Sequence, residues 1–255
     1  MSNPRIIIGI PARMGSTRFP GKPLCKIQKR SMIEHCYKRC ELSGYVTDLF
    51  VAACDVEIEN AVKSFGGNVI MTDPDILRPG LRVATAAESL HLDDDDIVVV
   101  VQGDEPLVHP EMIDLAVQPL LEDNSVYVSN LVNEISDGEW QDPGEIKVVC
   151  DLDMNAIYMS RSPIPSTDHE EQRAVWWKQV CIMPFRWHFM KDFNHKFSPT
   201  PLELQESIEM IRAIQHGYKV RMVPSPFQTK SVDTEADRKI VDNLMKNDPV
   251  FREYA

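Results

Sequence analysis

The hydrophobic positions of the first hundred residues form short apolar runs separated by segments with helical spacing. The apolar runs predict strands at Arg5–Ile10, Leu49–Ala53, Val69–Met71 and Ile97–Val101. The intervening segments predict helices at Ser31–Cys40, where Ser31 and Glu34 have capping-box spacing, and at Val56–Phe65 and Ala84–Leu92. Strand and helix therefore alternate, which predicts a Rossmann-like, mostly parallel α/β sheet with helices on both faces.

The pattern after residue 125 is less regular and richer in short strands. Strands are predicted at Val126–Val132, Ile146–Cys150, Ala156–Met159, Lys178–Phe185 and Val220–Val223, and helices at Leu202–His216 and Thr234–Lys246. No linker or internal repeat separates this half from the first. We interpret residues 1–255 as a single domain with a strand-rich inserted portion over approximately residues 125–200, in preference to two independent domains.

Composition and charge narrow the classes of partner. The chain has 255 residues, 43% of them hydrophobic, and a formal net charge of −12. Such an acidic protein repels polyanions, so no nucleic-acid partner is predicted. Without a long apolar run or a signal-peptide pattern, we predict no membrane partner and a cytoplasmic location. The six cysteines are scattered, and Cys36 and Cys40, one helical turn apart, suit core positions better than metal ligands.

A loop rich in glycine and cations follows the first strand. The segment Gly9–Leu24 carries Gly15, Gly21, the hydroxyls of Ser16 and Thr17, and three cations, which are Arg13, Arg18 and Lys22. Glycines allow backbone N–H groups to approach an anion, and cations neutralise it, so the segment predicts a phosphate loop. It differs from the ATPase P-loop, because one residue too many separates Gly15 from Gly21 and Pro23 replaces the metal-binding hydroxyl.

Carboxylates at two places could hold a metal ion. Asp104 follows the apolar strand Ile97–Val101, within Gln102-Gly103-Asp104-Glu105-Pro106. Mg²⁺ binds through a few carboxylates together with phosphate oxygens and water, so an aspartate at a strand end beside a phosphate loop is suitable. Asp233 could supply a second carboxylate. From spacing alone, however, Asp233 is better explained as the N-cap of the helix that follows.

The chain resembles the CMP-Kdo synthetases, which are cytidylyltransferases acting on 3-deoxy-manno-octulosonate (Kdo), and more distantly the CMP-sialate synthetases. The resemblance covers nearly the whole chain. It rests on five segments that occur in the family's order: Pro11–Leu24, Gln102–Pro106, Ser160–Pro165, Thr200–Glu203 and Val232–Asp237. It implies a nucleotidyltransferase fold of the glycosyltransferase-A type and a CTP-dependent reaction.

The resemblance also implies roles for individual residues. Mg²⁺ would be held by Asp104 and Asp233, so the family relation favours a metal role for Asp233 over the N-cap alone. The catalytic residues would be Arg13, Arg18, Lys22 and Asp104. The nucleotide-binding residues would be Pro11, Ala12, Arg13, Ser16, Arg18, Lys22, Arg82 and Gln102.

The implied mechanism is positional and electrostatic. A hydroxyl of the acceptor would attack the α-phosphorus of CTP in line. Mg²⁺ would bridge that phosphate and the attacking oxygen, while the loop cations stabilise the departing pyrophosphate. The predicted partners are CTP, a small acidic acceptor and a second copy of the chain in a homodimer. The adjacent aromatic residues Trp176 and Trp177 could face that partner or lie in the core.

The chain departs from the family in the segments that contact the acceptor. The family segment S-G-T-E-R is represented only by Arg82. A strand that carries a histidine and a tyrosine in the family has Gln179 and Met183 here, and a glutamine of the late helix is Met210. Thioethers replace hydrogen-bond donors with apolar, adaptable surface. The predicted acceptor-binding residues are Arg78, Gln102, Arg161, Gln179, Met183, Glu209 and Met210.

These departures leave the acceptor open between Kdo, a Kdo analogue, another acidic sugar and a phosphonate. Two other functions are consistent with the sequence. One is a nucleotidyltransferase of the same fold that uses a sugar phosphate, or UTP or GTP. The other is a nucleotide-binding regulator without catalysis, although the presence of Lys22, Asp104 and Asp233 argues against it.

Overall fold

The computed structural model describes residues 4–16, 18–166 and 175–255. The strands in these ranges are β1 (Ile6–Ala12), β2 (Lys26–Ile27), β3 (Arg30–Ser31), β4 (Asp48–Ala53), β5 (Val69–Met71), β6 (Ile97–Val101), β7 (Ser129–Glu134), β8 (Lys147–Cys150), β9 (Ala156–Ser160), β10 (Trp177–Val180), β11 (Ile182–Arg186) and β12 (Arg221–Pro224). The α-helices are α1 (Met32–Glu41), α2 (Val56–Ser64), α3 (Pro79–Ala87), α4 (Pro110–Glu122), α5 (Asp137–Gln141), α6 (Trp187–His195), α7 (Pro201–Glu206), α8 (Met210–Gln215), α9 (Glu235–Met245) and α10 (Phe251–Tyr254).

The alternating first half builds one sheet in the order β11-β6-β1-β4-β5. Strands β6, β1, β4 and β5 are parallel, and β11 is antiparallel to β6. Side chains alternate along β1: Ile8 and Ile10 face a core with α1, α2 and α4, whereas Ile7 faces a core with α3 and α6. The predicted α/β class, with a mostly parallel sheet and helices on both faces, is confirmed.

A second sheet has the order β12-β7-β10-β8-β9 and is antiparallel except for the pair β12 and β7. The predicted strand Lys178–Phe185 is in fact two strands in different sheets. Val180 pairs with Leu131 in the second sheet, whereas Ile182 pairs with Val101 in the first. A continuous apolar pattern cannot show this change of partner, because both halves of the segment are extended and buried.

Several helix boundaries differ from the prediction. Helix α3 begins at Pro79, five residues before the predicted Ala84, because proline is compatible with the first helical turn. The predicted helix Leu202–His216 is broken at Ser207, which is left-handed with φ 56° and separates α7 from α8. Helices α4 and α6 were absent from the prediction, and α4 begins at a proline and contains a second one.

The predicted capping box at the start of α1 does not form. Ser31 makes no side-chain hydrogen bond to the helix. Glu34 instead accepts at 2.5 Å from Arg30, which lies in β3 four residues earlier in the chain. The prediction was wrong because a cation one turn before Glu34 competes for the carboxylate that the box requires.

Candidate active site

Two adjoining cavities open at the carboxyl ends of β1 and β6. The first has a volume of about 290 Å³ and the second about 370 Å³. They share Leu77, Pro79 and Gln102 as common lining. All eight residues predicted to bind the nucleotide line the first cavity, and all seven predicted to bind the acceptor line the second. We refer to them as the nucleotide cavity and the acceptor cavity.

The loop after β1 is folded by its own short hydrogen bonds. The backbone N–H of Met14 donates to Asp55 Oδ2 at 2.9 Å, which ties the loop to the start of α2. The hydroxyl of Ser16 accepts from Phe19 N at 3.3 Å. Gly21, with φ 71°, begins a 3-10 turn that presents Lys22 to the cavity. Arg13, Ser16 and Arg18 line the nucleotide cavity, and Thr17 is outside the described residues.

Gly9 serves a different purpose from the loop glycines, which were predicted to let backbone N–H groups approach an anion. It lies inside β1, where a Cβ would come within 2.3 Å of Val83 Cγ1 on α3. Its role is therefore the close approach of a helix to the sheet, and no anion contact is needed to explain it.

Lys22 is at the centre of a cluster of charges. Its Nζ lies 2.6 Å from Asp104 Oδ2 and 3.0 Å from Asp233 Oδ1. Arg18 Nη2 lies 3.0 Å from the same Asp233 oxygen. Burial favours the neutral amine, but the two carboxylates outweigh it and raise the pKa of Lys22. The ammonium is therefore charged and held between the two aspartates predicted to bind metal.

The position of Asp233 is set by a backbone contact and a neighbouring cap. Val232 N donates to Asp104 O at 2.9 Å, which brings the segment before α9 to the end of β6. The N-cap of α9 is Thr234, whose hydroxyl accepts from Asp237 N at 3.2 Å. The interpretation of Asp233 as the N-cap, favoured by spacing alone, is wrong. Because Thr234 makes the cap, the Asp233 carboxylate is free to face Lys22.

These two carboxylates form a small donor set. Within the described ranges, no group of three or more His, Cys, Asp or Glu side chains is arranged to hold a metal ion. Mg²⁺ needs only one or two protein carboxylates when phosphate oxygens and water complete its shell. Because Asp104 and Asp233 both contact one ammonium, they converge closely enough to share one cation. The residues present therefore fit a Mg²⁺ that arrives with a triphosphate.

Arg82 lines the nucleotide cavity but is occupied by a loop. It is buried at 2% exposure and donates to Thr72 Oγ1 at 2.5 Å and to the carbonyl of Ile76. Its guanidinium thus fixes residues 72–76, which lead into the rim formed by Leu77. Arg82 therefore lines the nucleotide cavity, and its hydrogen bonds hold the loop that forms part of the cavity wall.

The two arginines of the acceptor cavity also have protein partners. Arg161 donates from Nε to Glu206 O at 2.9 Å and from Nη1 to Pro143 O at 3.2 Å. Arg78 Nη1 lies 3.5 Å from Glu203 Oε1. Both guanidiniums retain donor capacity, because each has five N–H groups. They are held in place before any acceptor arrives.

The positions that depart from the family form one wall of the acceptor cavity. Gln179 donates from Nε2 to Asn130 Oδ1 at 2.5 Å, and Met183 Sδ lies 3.8 Å from the same amide nitrogen. The amide is therefore turned toward the sheet. Met183 and Met210 are almost fully buried behind it. Met183 and Met210 make this wall largely apolar, and the amide of Gln179 is its polar member.

Glu209 contributes an unusual carboxylate to the acceptor cavity. Its Oε2 accepts from Gly80 N at 3.2 Å. Among the described residues, no donor lies within hydrogen-bond distance of the buried Oε1. Burial raises the pKa of Glu209. The buried Oε1 lies 3.7 Å from Arg212 Nη2, so Glu209 is ion-paired with that arginine while lining the acceptor cavity.

Sequence reasoning missed two exposed leucines at the cavity mouths. Leu77 is 66% exposed and lines both cavities, and Leu204 is 63% exposed and lines the acceptor cavity. Neither leucine lies in one of the segments on which the family resemblance rests, although Leu204 directly follows the segment Thr200–Glu203. An exposed leucine is common on any surface, so only its place beside a cavity makes it notable.

Known proteins resemble the chain over nearly its whole length. A sequence model of the cytidylyltransferase family matches residues 6–223. The 3-deoxy-manno-octulosonate cytidylyltransferase of Solibacter usitatus is 39% identical over 245 residues, which cover 95% of this chain and 96% of that protein. The chain belongs to the 3-deoxy-manno-octulosonate cytidylyltransferase family. Its members are CTP-dependent nucleotidyltransferases, so the predicted family, enzyme class and reaction class are confirmed.

Two further relatives show the breadth of this cytidylyltransferase family. The 8-amino-3,8-dideoxy-manno-octulosonate cytidylyltransferase of Shewanella pealeana is 39% identical over 235 residues, covering 91% of this chain and 95% of that protein. A solved structure of a CMP:2-keto-3-deoxy-manno-octonic acid synthetase, complexed with CTP, has a TM-score of 0.88 at 34% identity and covers 95% of this chain and 98% of that one. Within the part of the chain that the structure describes, no helix is long and apolar enough to cross a membrane.

Proposed function

We propose that this cytidylyltransferase transfers CMP from CTP to an acidic sugar of the 3-deoxy-octulosonate type, with release of pyrophosphate. The observation that carries the proposal is the pair of adjoining cavities that meet at Leu77, Pro79 and Gln102. One offers cations and carboxylates suited to a metal-bound triphosphate. The other offers the guanidiniums of Arg78 and Arg161 and a carboxylate, Glu209. A nucleophile in the second cavity would approach a phosphate in the first across this shared rim.

The residues of the nucleotide cavity would act mainly by electrostatics. Arg13, Arg18 and Lys22 would hold the triphosphate and stabilise the charge that develops on pyrophosphate as it leaves. Asp104 and Asp233 would hold Mg²⁺, as their convergence on one point supports. When bound there, Mg²⁺ would supply positive charge to the α-phosphate and acidify the attacking hydroxyl.

The acceptor cavity supports an acidic acceptor other than ordinary Kdo. Arg78 and Arg161 are fixed donors suited to a carboxylate, since guanidinium pairs with it in a bidentate way. Relatives with 39% identity are named for two different acceptors, one of which carries an 8-amino group. The wall containing Met183 and Met210 offers no hydrogen bonds to hydroxyls of the strength that a histidine or tyrosine would supply. We infer that the natural acceptor has an apolar or modified portion where Kdo has hydroxyls.

A panel experiment tests the function. Pyrophosphate release would be measured with CTP, UTP and GTP against Kdo, its 8-amino and 8-deoxy analogues, a sugar phosphate and a phosphonate. The proposal expects CTP to be preferred and an octulosonate to be the best acceptor, with Kdo itself below one of its analogues. Efficient turnover only with a sugar phosphate or a phosphonate would assign a different acceptor class. No turnover with any pair would contradict the proposal.

We also propose a homodimer in the cytoplasm. Strand β9 is at the edge of the second sheet and exposes Ile157 at 55%, a surface that a second copy could cover. Trp176, by contrast, is 8% exposed and stacks on Trp140 with ring centroids 4.7 Å apart, so it packs within the protomer. The six cysteines are unpaired, which is typical of a reducing compartment. Light scattering of the purified protein would test the dimer, and a monomer at micromolar concentration would contradict it.

A further inference from the structure

The ammonium of Lys22 lies at the place where the two aspartates would hold a divalent cation. Nζ is 2.6 Å from Asp104 Oδ2, 3.0 Å from Asp233 Oδ1 and 3.3 Å from Val232 O. Arg18 adds a second cation at 3.0 Å from Asp233 Oδ1. Two positive charges thus balance two negative ones, and one oxygen of each carboxylate is already in contact with a cation.

We propose that Lys22, assisted by Arg18, is an internal counter-ion that keeps divalent metal out of this site until a triphosphate draws the cations away. The ligand that the free enzyme accepts is then the metal–CTP complex, and the metal alone binds weakly. The proposal goes beyond CMP transfer. It rests only on the metal role given above to Asp104 and Asp233.

Competition for the same oxygens is the physical basis. A metal ion bound between Asp104 Oδ2 and Asp233 Oδ1 would lie beside the ammonium of Lys22 and repel it, so metal binding to the free enzyme must weaken or displace the contacts of Lys22. That contact is protected from water, because the side chains of Lys22 and Asp104 are only 17% and 26% exposed. Salt and solvent weaken a partly buried pair less than a surface pair.

A triphosphate changes this balance. Phosphate oxygens are alternative acceptors for an ammonium and a guanidinium, and Arg13 and Ser16, which would also hold the triphosphate, line the same cavity as Lys22. Lys22 has a flexible four-carbon stem on a turn that begins at Gly21, so its head group can move without the backbone. Once Lys22 contacts phosphate, both carboxylates are free for the metal that the triphosphate carries.

Binding of Mn²⁺ to the enzyme without nucleotide, followed by electron paramagnetic resonance or calorimetry, tests the inference. The variant Lys22→Met keeps the stem and removes the charge. It should bind Mn²⁺ at least about tenfold more tightly than wild type, because the carboxylate pair has lost its occupant. The gain should persist at high salt, where the fields of distant charges are screened. The variant Lys26→Met, four residues on and exposed, should bind Mn²⁺ like wild type.

Two further variants locate the effect. Adding Asp104→Asn to Lys22→Met should abolish the gain, because the oxygen in question is gone. Equal Mn²⁺ affinity for wild type and Lys22→Met, or a gain of the same size in Lys26→Met, would overturn the inference. The metal role is tested separately with wild type and Asp104→Asn in the presence of CTP. If both bind Mn²⁺ equally there, that role is wrong and CMP transfer must be reconsidered.

Discussion

The nucleotide cavity and the acceptor cavity differ in how their side chains are brought together. The nucleotide cavity is made mainly from loops that directly follow β1 and β6. Asp233 is added by one backbone hydrogen bond from Val232 to Asp104. The segment that enters α3 adds Leu77, Pro79 and Arg82. The acceptor cavity gathers side chains from the second sheet, from β11 and from helices α3, α7 and α8. The phosphate-binding chemistry therefore relies mainly on the ends of two adjacent parallel strands, whereas the acceptor cavity draws side chains from both sheets and three helices.

The charges of the two cavities are also used differently. In the nucleotide cavity the cations and carboxylates pair with each other, so a charged ligand can replace those pairs. In the acceptor cavity Arg161 and Gln179 are bound to backbone or to a buried asparagine, so they are fixed before the ligand arrives. The first cavity is therefore suited to charge exchange, and the second to shape and selected contacts.

The largest effect expected is from Asp104→Asn, which should lower CMP transfer by about two to three orders of magnitude. The substitution removes an oxygen at the proposed metal position while keeping the side chain's size. Excess chelator should abolish wild-type activity to a similar extent. Pyrophosphate release is the measurement, and Asp153→Asn, an exposed aspartate in a turn, is the matched control for charge. Full activity in excess chelator would contradict the proposal that a metal ion at Asp104 and Asp233 supports CMP transfer.

Next in size are Lys22→Ala and Arg18→Ala, expected to reduce kcat/KM for CTP by about 10- to 100-fold while the protein stays folded. Lys22 should have the larger effect, because its side chain is 17% exposed and contacts both aspartates, whereas Arg18 is 64% exposed and contacts one. Thermal unfolding checks stability, with the exposed Arg252→Ala as control. Unfolding of either variant, or normal CTP kinetics, would remove that residue from the phosphate loop.

A smaller effect is expected in the acceptor cavity. The double variant Gln179→His and Met183→Tyr should raise kcat/KM for Kdo by about tenfold, because it introduces the family's histidine and tyrosine, which can hydrogen-bond to sugar hydroxyls. The KM for CTP should not change, since neither residue lines the nucleotide cavity. Kdo as the best acceptor of wild type, with no response to the double substitution, would show that the apolar wall does not set specificity.

The smallest effect should come from Tyr254→Phe, far from both cavities. Burial holds the pKa of His35 at about 4, so its ring is neutral. With Nε2 facing the carbonyl of Ile27, Nδ1 accepts from the Tyr254 hydroxyl at 2.9 Å. Loss of that hydroxyl should cost about 1 kcal/mol of unfolding free energy and leave kcat unchanged. A change in kcat without loss of stability would mean that the packing of Tyr254 and His35 affects the active site.

The same contrast explains what the sequence could predict. The phosphate loop, Asp104 and the parallel sheet follow from local patterns, because a strand and the loop after it are continuous in the chain. The N-cap interpretation of Asp233 failed because Thr234, one residue on, is an equally good cap, and spacing cannot choose between them. The division of Lys178–Phe185 between two sheets depends on partners about 50 and 80 residues earlier, which no local pattern contains.

Side-chain partners were the other unpredictable part. The sequence placed Arg82 and Arg161 in the site by resemblance, and both line the cavities. The hydrogen bond of Arg161 to Glu206, however, joins residues 45 positions apart, and that of Arg82 to Ile76 depends on how the loop before α3 folds back on the helix. The contact between Lys22 and the aspartates likewise joins residues more than eighty positions apart.

The most direct test of the central claim is a ³¹P NMR spectrum of the reaction with CTP, Mg²⁺ and the best octulosonate of the panel. Attack at the α-phosphorus predicts pyrophosphate and a single new phosphodiester signal in equal amounts, both absent in Asp104→Asn. Formation of CDP with phosphorylated acceptor or inorganic phosphate would show cleavage at the γ-phosphate. That result would contradict the assignment of the loop cations to a leaving pyrophosphate.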